Sequence, residues 1–217
     1  MRSKHSLANA IALLPGLLVL PFRSDAQQLD GQAIVRKVRA TFESLTTLRA
    51  RFEQTFEWKM VGESQKVSGT LAAAKGDRYR IETDDQLIVT DGKRVWNFSK
   101  ENNQVLIDHM GKSADAPLMR ELMVRYAEGY VAELKGQEAV HGSTCYLVEL
   151  RAKGEEFITT VTLWVDRTLW IPVRVRQVDV NENVNLYELQ GVEVNVPLPA
   201  SLFTFQVPPG AEVIDVR

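Results

Sequence analysis

The side chains that could carry out catalysis are few and scattered along this chain. A hydrolase needs a nucleophile beside a base, or two carboxylates that face each other across a cleft. After residue 26 the sequence holds two histidines, His109 and His141, and one serine that follows a glycine, Ser143. Neither histidine has the spacing of a metal ligand, and the residues around Ser143 do not form a nucleophile elbow. We therefore expect no catalytic residue, no metal, no cofactor and no enzymatic activity.

Acidic pairs and the lone cysteine give the same expectation. The doublets Asp84-Asp85 and Glu155-Glu156 fall in predicted turns, where paired carboxylates are ordinarily solvated. Cys145 opens the apolar run Cys-Tyr-Leu-Val without a basic neighbour, which predicts an inert buried thiol. A lipid-acting hydrolase that uses Ser143 and His141 remains an alternative without a supporting motif.

The overall composition excludes several classes of protein. The chain has 217 residues, of which 45% are hydrophobic and 25% charged, so disordered, collagen-like and coiled-coil proteins do not fit. Its net charge of −2 lacks the basic excess of a nucleic-acid-binding protein. We expect one domain that acts as a monomer, with no nucleic-acid partner.

The first 26 residues have the order of a secretory signal peptide. Arg2 and Lys4 precede an apolar run over 7–22, and small residues stand at Ser24 and Ala26. A membrane anchor is the alternative, but the run is about 16 residues against the ~20 that span a bilayer, and prolines interrupt it. The sequence predicts cleavage near Ala26, a mature domain over 27–217 and a periplasmic protein.

Hydropathy periods in the mature chain predict a mainly β (α+β) fold. A helix begins after Asp30, and from Leu48 apolar residues alternate with polar ones, as in a half-buried strand. Short strands separated by turn residues such as Asp91-Gly92 follow, interrupted by a predicted helix that begins at Pro117. After that helix the pattern predicts further strands, among them 130–134 and 139–151, and an irregular proline-rich tail over 196–216. We expect a single curved antiparallel sheet of roughly 10–11 strands. It would form an unclosed half-barrel, covered by two or three helices that enclose an apolar cavity.

Aromatic and methionine side chains recur at spacings that place them on shared faces. Such side chains suit adaptable apolar sites, although a filled core explains the same pattern. We predict that a lipid-binding cavity is lined by Phe52, Phe56, Trp58, Trp96 and Phe98 from the sheet, and by Leu118, Met119, Leu122 and Met123 from the Pro117 helix.

Short motifs, taken in their order and spacing, resemble the periplasmic outer-membrane lipoprotein carrier family, LolA. Four stretches carry the resemblance. They are Phe52-Glu53-Gln54-Thr55; Val67-Ser68-Gly69-Thr70-Leu71; the hairpin Ile88-Val89-Thr90-Asp91-Gly92-Lys93-Arg94-Val95-Trp96-Asn97-Phe98 with Asn103-Gln104-Val105; and Leu202-Phe203-Thr204-Phe205 with Pro208-Pro209-Gly210.

This resemblance implies an unclosed barrel whose helices form a lid over a hydrophobic cavity. It also implies a carrier that takes acylated lipoproteins from an inner-membrane ABC-type exporter and passes them to an outer-membrane acceptor. The family typically has Arg-Pro after the second strand, where this chain has Lys75-Gly76. Lys75 would then be the lid latch, without the planar donor fork of arginine. The alternative is an interaction module of similar fold that senses lipid or lipoprotein and regulates a membrane partner.

Overall fold

The computed structural model describes residues 29–110 and 128–217. Within these ranges it contains one α-helix, one short 3₁₀ turn and twelve strands that form a single sheet. The predicted signal peptide and the Pro117 helix, with Leu118, Met119, Leu122 and Met123, lie outside the described residues. The mainly β class is confirmed, and the fold is one long, unclosed, curved sheet.

Helix α1 spans Gly31–Ser44 and begins where the sequence predicts it. The Asp30 carboxylate accepts a hydrogen bond from the backbone N–H of Ala33 at 2.6 Å, which caps the first turn. Ile34, Val35 and Val38 are fully buried and pack the helix against the sheet. A side chain at Gly31 would lie 2.6 Å from the backbone of Ala132, so glycine permits this close approach.

The strands follow one another mostly as antiparallel hairpins. They are β1 Thr47–Trp58, β2 Glu63–Ala74, β3 Arg78–Thr83, β4 Gln86–Asp91, β5 Arg94–Ser99, β6 Gln104–His109, β7 Tyr130–Val140, β8 Ser143–Ala152, β9 Ile158–Asp166, β10 Pro172–Asp179, β11 Val184–Val194 and β12 Glu212–Asp215. Their order across the sheet is β12-β6-β5-β4-β3-β2-β1-β11-β10-β9-β8-β7, so β12 and β7 are the two edges and the sheet does not close.

Two details differ from the sequence expectation of ten or eleven strands. The first is the position of a turn: the sequence predicts a break between strands at 130–134 and 139–151, whereas β7 and β8 are separated by a turn at His141 and Gly142. Strand β7 continues through its glycine because Gly136, with φ of 146°, forms a bulge instead of a turn. The sequence predicts an irregular proline-rich tail, but the tail contains β12, which pairs with β6 in parallel.

Cross-strand pairing assigns each paired strand residue to one of the two faces of the sheet. Directly paired residues share a face, so one row runs Gln54–Tyr187–Val175–Leu163–Val148 beneath α1. A second row runs Ala50–Leu71–Ile81–Ile88–Asn97 on the same side. We call this side the helix face. The other side is the strap face, because residues 200–211 pack on it.

Candidate functional site

The helix face is only partly covered among the described residues. Helix α1 lies over β7 and β8, at one side of the sheet. Over β1, β2 and β3 the same face carries large apolar side chains that are neither fully buried nor fully exposed. We call this group the apolar strip; it consists of Phe52, Phe56, Val67, Leu71 and Ile81.

Charged side chains are absent from this face over the residues that make up the strip. Helix-face positions from Leu48 to Trp58 on β1 and from Gln65 to Ala73 on β2 are uncharged, as are those of β3 and β4; the charged helix-face residue of these strands is Glu63, which pairs with Trp58 at the start of β2. The charges alternate onto the strap face, where Lys66 pairs with Glu53 at 2.8 Å. A partly exposed apolar surface without a charge favours an apolar ligand over a polar one.

Glycine shapes the centre of the apolar strip. Phe52 pairs directly with Gly69 on β2. A Cβ at Gly69 would lie 2.9 Å from Cε1 of Phe52 and 2.1 Å from the backbone oxygen of Glu82. The absence of a side chain therefore lets the Phe52 ring lie close to β2 and lets β3 approach. This close packing explains why the Val-Ser-Gly-Thr-Leu motif has glycine at its third position.

The strip leads to an exposed apolar end of the sheet. The rings of Phe56 and Trp58 meet edge to face, with centroids 4.6 Å apart. Beyond them, the β1–β2 turn exposes 89% of Met60 and 67% of Val61. Phe157 and Val180 are also exposed and adjoin through a hydrogen bond from the Val180 N–H to the Phe157 carbonyl. Apolar groups are thus accessible at the end of the strip.

Trp96 and Phe98 do not belong to this surface, so the prediction of one wall shared with Phe52, Phe56 and Trp58 is wrong. Asn97 is the β5 residue on the helix face, and its two neighbours therefore point to the strap face. There Phe205 packs against Trp96 and Phe98, with ring centroids 6.3 Å and 6.0 Å away. Alternation within β5 shows that the two aromatic residues share a face, but not which face.

A group of polar side chains interrupts the apolar strip at Gln54. Its Nε2 donates to Asn185 Oδ1 at 3.0 Å and to the Tyr187 hydroxyl oxygen at 3.3 Å. Asn185 Nδ2 donates to the same hydroxyl oxygen at 2.7 Å. Burial raises the pKa of Tyr187, and the hydrogen bond from Asn185 opposes that shift. The sequence alone assigns no role to any of these three residues; the only signal is a polar residue on an apolar strand face.

Lys75, the predicted latch, is exposed in the turn between β2 and β3. Its backbone N–H donates to Thr46 and its carbonyl accepts from Arg78 Nε. Across residues 29–110 and 128–217, no ion pair holds its ammonium group. Gly76 beside it has a φ of 81° and lies against Gly92, whose Cβ would be 2.1 Å from the Gly76 carbonyl oxygen. The close approach of the two turns requires glycine at position 92, whereas a Cβ at Gly76 would have nothing within 4 Å.

Serine, histidine and cysteine have structural roles in the described fold. A hydrogen bond from Ser143 helps to lower the pKa of the Asp166 carboxyl, and His141 Nε2 lies 3.5 Å from Glu188 Oε1. Cys145 is fully buried, as predicted, and burial followed by the nearby Asp166 charge raises its thiol pKa. A protonated buried thiol is not a nucleophile.

A cluster of metal ligands and a membrane-spanning helix are both absent from the part of the chain that the structure describes. Within these residues no three histidine, cysteine, aspartate or glutamate side chains converge as metal ligands would. In the same residues, no helix has both the length and the apolar character needed to cross a membrane.

Comparison with known proteins identifies the fold and its relatives. Residues 43–206 match the family model described as outer membrane lipoprotein carrier protein LolA. The chain is 26% identical over 205 residues to an outer-membrane lipoprotein carrier protein of Hahella chejuensis, covering 91% of this chain and 96% of the relative. It is 24% identical over 200 residues to an uncharacterized protein of Methanocaldococcus jannaschii, covering 89% of this chain but only 56% of that relative's length.

A solved structure supports the same fold. The crystal structure of an uncharacterized conserved protein from Thermus thermophilus superposes with a TM-score of 0.57 at 16% identity. The alignment covers 85% of this chain and 98% of that one.

Proposed function

Because the chain belongs to the LolA family of outer membrane lipoprotein carrier proteins, we propose that it carries acylated lipoproteins through the periplasm. The carrying surface in this proposal is the apolar strip on the helix face. The observation that supports it most is the uncharged, partly exposed row of Phe52, Phe56, Val67, Leu71 and Ile81. Carrier families of this kind bind cargo without catalysis, and the proposal assigns no catalytic residue.

The driving force for cargo binding is removal of acyl chains from water. Each buried methylene contributes about 0.8 kcal/mol, so even part of one chain gives substantial affinity. A carrier must also release its cargo, so a competing state of the protein must offset part of this gain. We propose that the segment containing Leu118, Met119, Leu122 and Met123 competes with cargo for the strip, and that Lys75 is its latch.

The transport route is part of the proposal. An inner-membrane ABC-type exporter would supply the lipoprotein and an outer-membrane acceptor would receive it. The exposed end of the sheet at Trp58, Met60 and Val61 would be where acyl chains enter and leave. The mature protein would begin after Ala26 and act as a monomer.

A single charge on the strip tests the proposed function. We expect wild-type mature protein to keep a purified acylated lipoprotein soluble after detergent removal and Phe56→Glu to lose this activity. Thr55→Glu is the matched control, because Thr55 is adjacent, also half-buried and on the strap face. If both folded variants keep the lipoprotein soluble as wild type does, the strip is not the carrying surface.

Depletion in the source cell separates a carrier from a sensor of similar fold. Loss of a carrier strands lipoproteins at the inner membrane. If depletion leaves lipoproteins correctly distributed and changes only a stress response, the interaction module is correct and the carrier is rejected.

A further inference from the structure

The hydrogen bonds within the polar group on the helix face leave the hydroxyl hydrogen of Tyr187 available as a donor. Tyr187 hydroxyl oxygen accepts from both Gln54 and Asn185. Within the described residues, that hydroxyl makes no hydrogen bond as a donor. Two amides occupy the oxygen and orient the O–H bond away from them, so among these residues its hydrogen has no acceptor.

This donor stands at the border between the two halves of the helix face. Tyr187 pairs with Gln54 on one side and with Val175, in the core beneath α1, on the other. Gln54 is flanked along β1 by Phe52 and Phe56 of the apolar strip, each about 7 Å away along the strand. A ligand chain that contacts both Phe52 and Phe56 would therefore pass beside Gln54 and the Tyr187 hydroxyl.

A hydroxyl donor at the edge of an apolar strip favours a ligand that offers an acceptor. A hydrocarbon placed there would leave the hydroxyl hydrogen without a partner, which is unfavourable in a dry site. An acyl carbonyl has lone pairs but no hydrogen to donate, so it complements a hydroxyl whose oxygen is already occupied. Burial keeps the phenol protonated, since it raises the pKa of Tyr187.

We propose that Tyr187, oriented by Gln54 and Asn185, is an anchor for the carbonyl of an ester- or amide-linked acyl chain. This inference rests on the proposed function, since it identifies the chemical feature that the same site recognises. The apolar strip supplies affinity for the chain, and the anchor fixes the position of its carbonyl group. The site thereby distinguishes acyl chains from alkyl chains of equal length.

Matched ligands test the anchor. The probes are a dansyl-labelled palmitoyl ester and its hexadecyl ether analogue, which differ only by the carbonyl oxygen, titrated into detergent-free mature protein. We expect the wild type to bind the ester roughly 3- to 10-fold more tightly than the ether, the gain that one hydrogen bond gives. Tyr187→Phe should remove this preference by weakening ester binding without weakening ether binding.

Controls keep the outcome interpretable. Tyr146→Phe alters a half-buried tyrosine three strands away on the same face, and it should retain the ester preference. Gln54→Leu removes one orienting amide but keeps the phenol, and it should reduce the preference even if Tyr187→Phe folds poorly. Equal wild-type affinity for ester and ether, or an equal loss for both in Tyr187→Phe, overturns the anchor. If the wild type binds neither probe, the proposed carrier function itself fails.

Discussion

Phe205 stacks on Trp96 with ring centroids 6.3 Å apart, and this contact lies on the opposite side of the sheet from Phe52. Two motifs that carry the family resemblance, the Trp-x-Phe hairpin and the Phe-x-Phe close, therefore meet each other and not the candidate site. Leu87, Val89 and Val105 complete the cluster beneath them. These motifs hold the C-terminal strap on the sheet.

The strap contact predicts a loss of stability without a loss of binding. Phe205→Ala removes a half-buried ring from Trp96 and Phe98, so we expect the free energy of unfolding to fall by about 1–3 kcal/mol. Binding of an acyl probe at a temperature where the variant is folded should be unchanged, because the apolar strip is on the other face. Urea unfolding and probe titration measure the two quantities. Weaker binding at full stability would place the strap in the site.

Gly69 should not tolerate even a methyl group. In Gly69→Ala the new Cβ would meet the Glu82 backbone oxygen and the Phe52 ring, so the strands must separate. We expect a loss of about 1–3 kcal/mol in the free energy of unfolding, the usual cost of overpacking. Gly154→Ala is the control, since nothing lies within 4 Å of its Cβ. Comparable stabilities in thermal or urea unfolding would show that the close packing of Phe52 on β2 is unimportant.

Asp166 should make stability depend on pH. Burial raises its pKa, but hydrogen bonds from the Leu169 N–H, the Ser143 hydroxyl and the Thr168 N–H outweigh burial, and the net pKa is lowered. A carboxyl whose pKa is lower in the folded state stabilises the fold above its ordinary pKa, and this stabilisation is lost as pH falls through the folded value.

The measurement is urea unfolding of wild type and Asp166→Asn from pH 7 to pH 3. We expect the variant to be less stable by about 1–2 kcal/mol at pH 7, and the difference to shrink below about pH 4. Asp84→Asn removes an exposed carboxylate and should leave stability at pH 7 unchanged. A difference between Asp166→Asn and wild type that stays constant over the whole pH range would contradict this role.

Lys75 should affect cargo release and not folding. Its side chain is exposed, so Lys75→Ala should change the free energy of unfolding by less than about 0.5 kcal/mol. If Lys75 is the latch, the variant releases a bound lipoprotein to acceptor vesicles at a different rate from wild type. Lys93→Ala, an exposed lysine in another turn, is the control. Identical release rates for both variants and wild type would remove Lys75 from the mechanism.

Local patterns predict most of this fold because they are set by neighbouring residues. The Asp30 cap, the alternation from Leu48 and the Asp91-Gly92 hairpin all appear where the sequence places them. The sequence predicts too short a β7 because Gly136 resembles a turn residue, whereas its bulge depends on pairing with β8. Strand β12 has no local signal because its partner, β6, lies about a hundred residues earlier.

The site is harder to predict than the fold. The alternation of side chains along a strand shows that Trp96 and Phe98 share a face and that Phe52 and Phe56 share a face. Only the register through β2, β3 and β4 shows that the two pairs lie on opposite faces of the sheet. The polar anchor depends on Asn185 and Tyr187 of β11 lying beside Gln54 of β1, at sequence separations of 131 and 133 residues. Contacts of such sequence separation leave no local pattern.

Photocrosslinking from both faces tests the central claim most directly. Phe52 and Phe98 are each replaced by p-benzoylphenylalanine, one on the helix face and one on the strap face, and each protein is loaded with a purified triacylated lipoprotein. After irradiation, mass spectrometry locates the crosslinked atoms. We predict crosslinks from position 52 to the acyl chains and none from position 98. Acyl crosslinks from position 98, or their absence at position 52 in a loaded complex, would contradict the helix face as the lipid-binding surface.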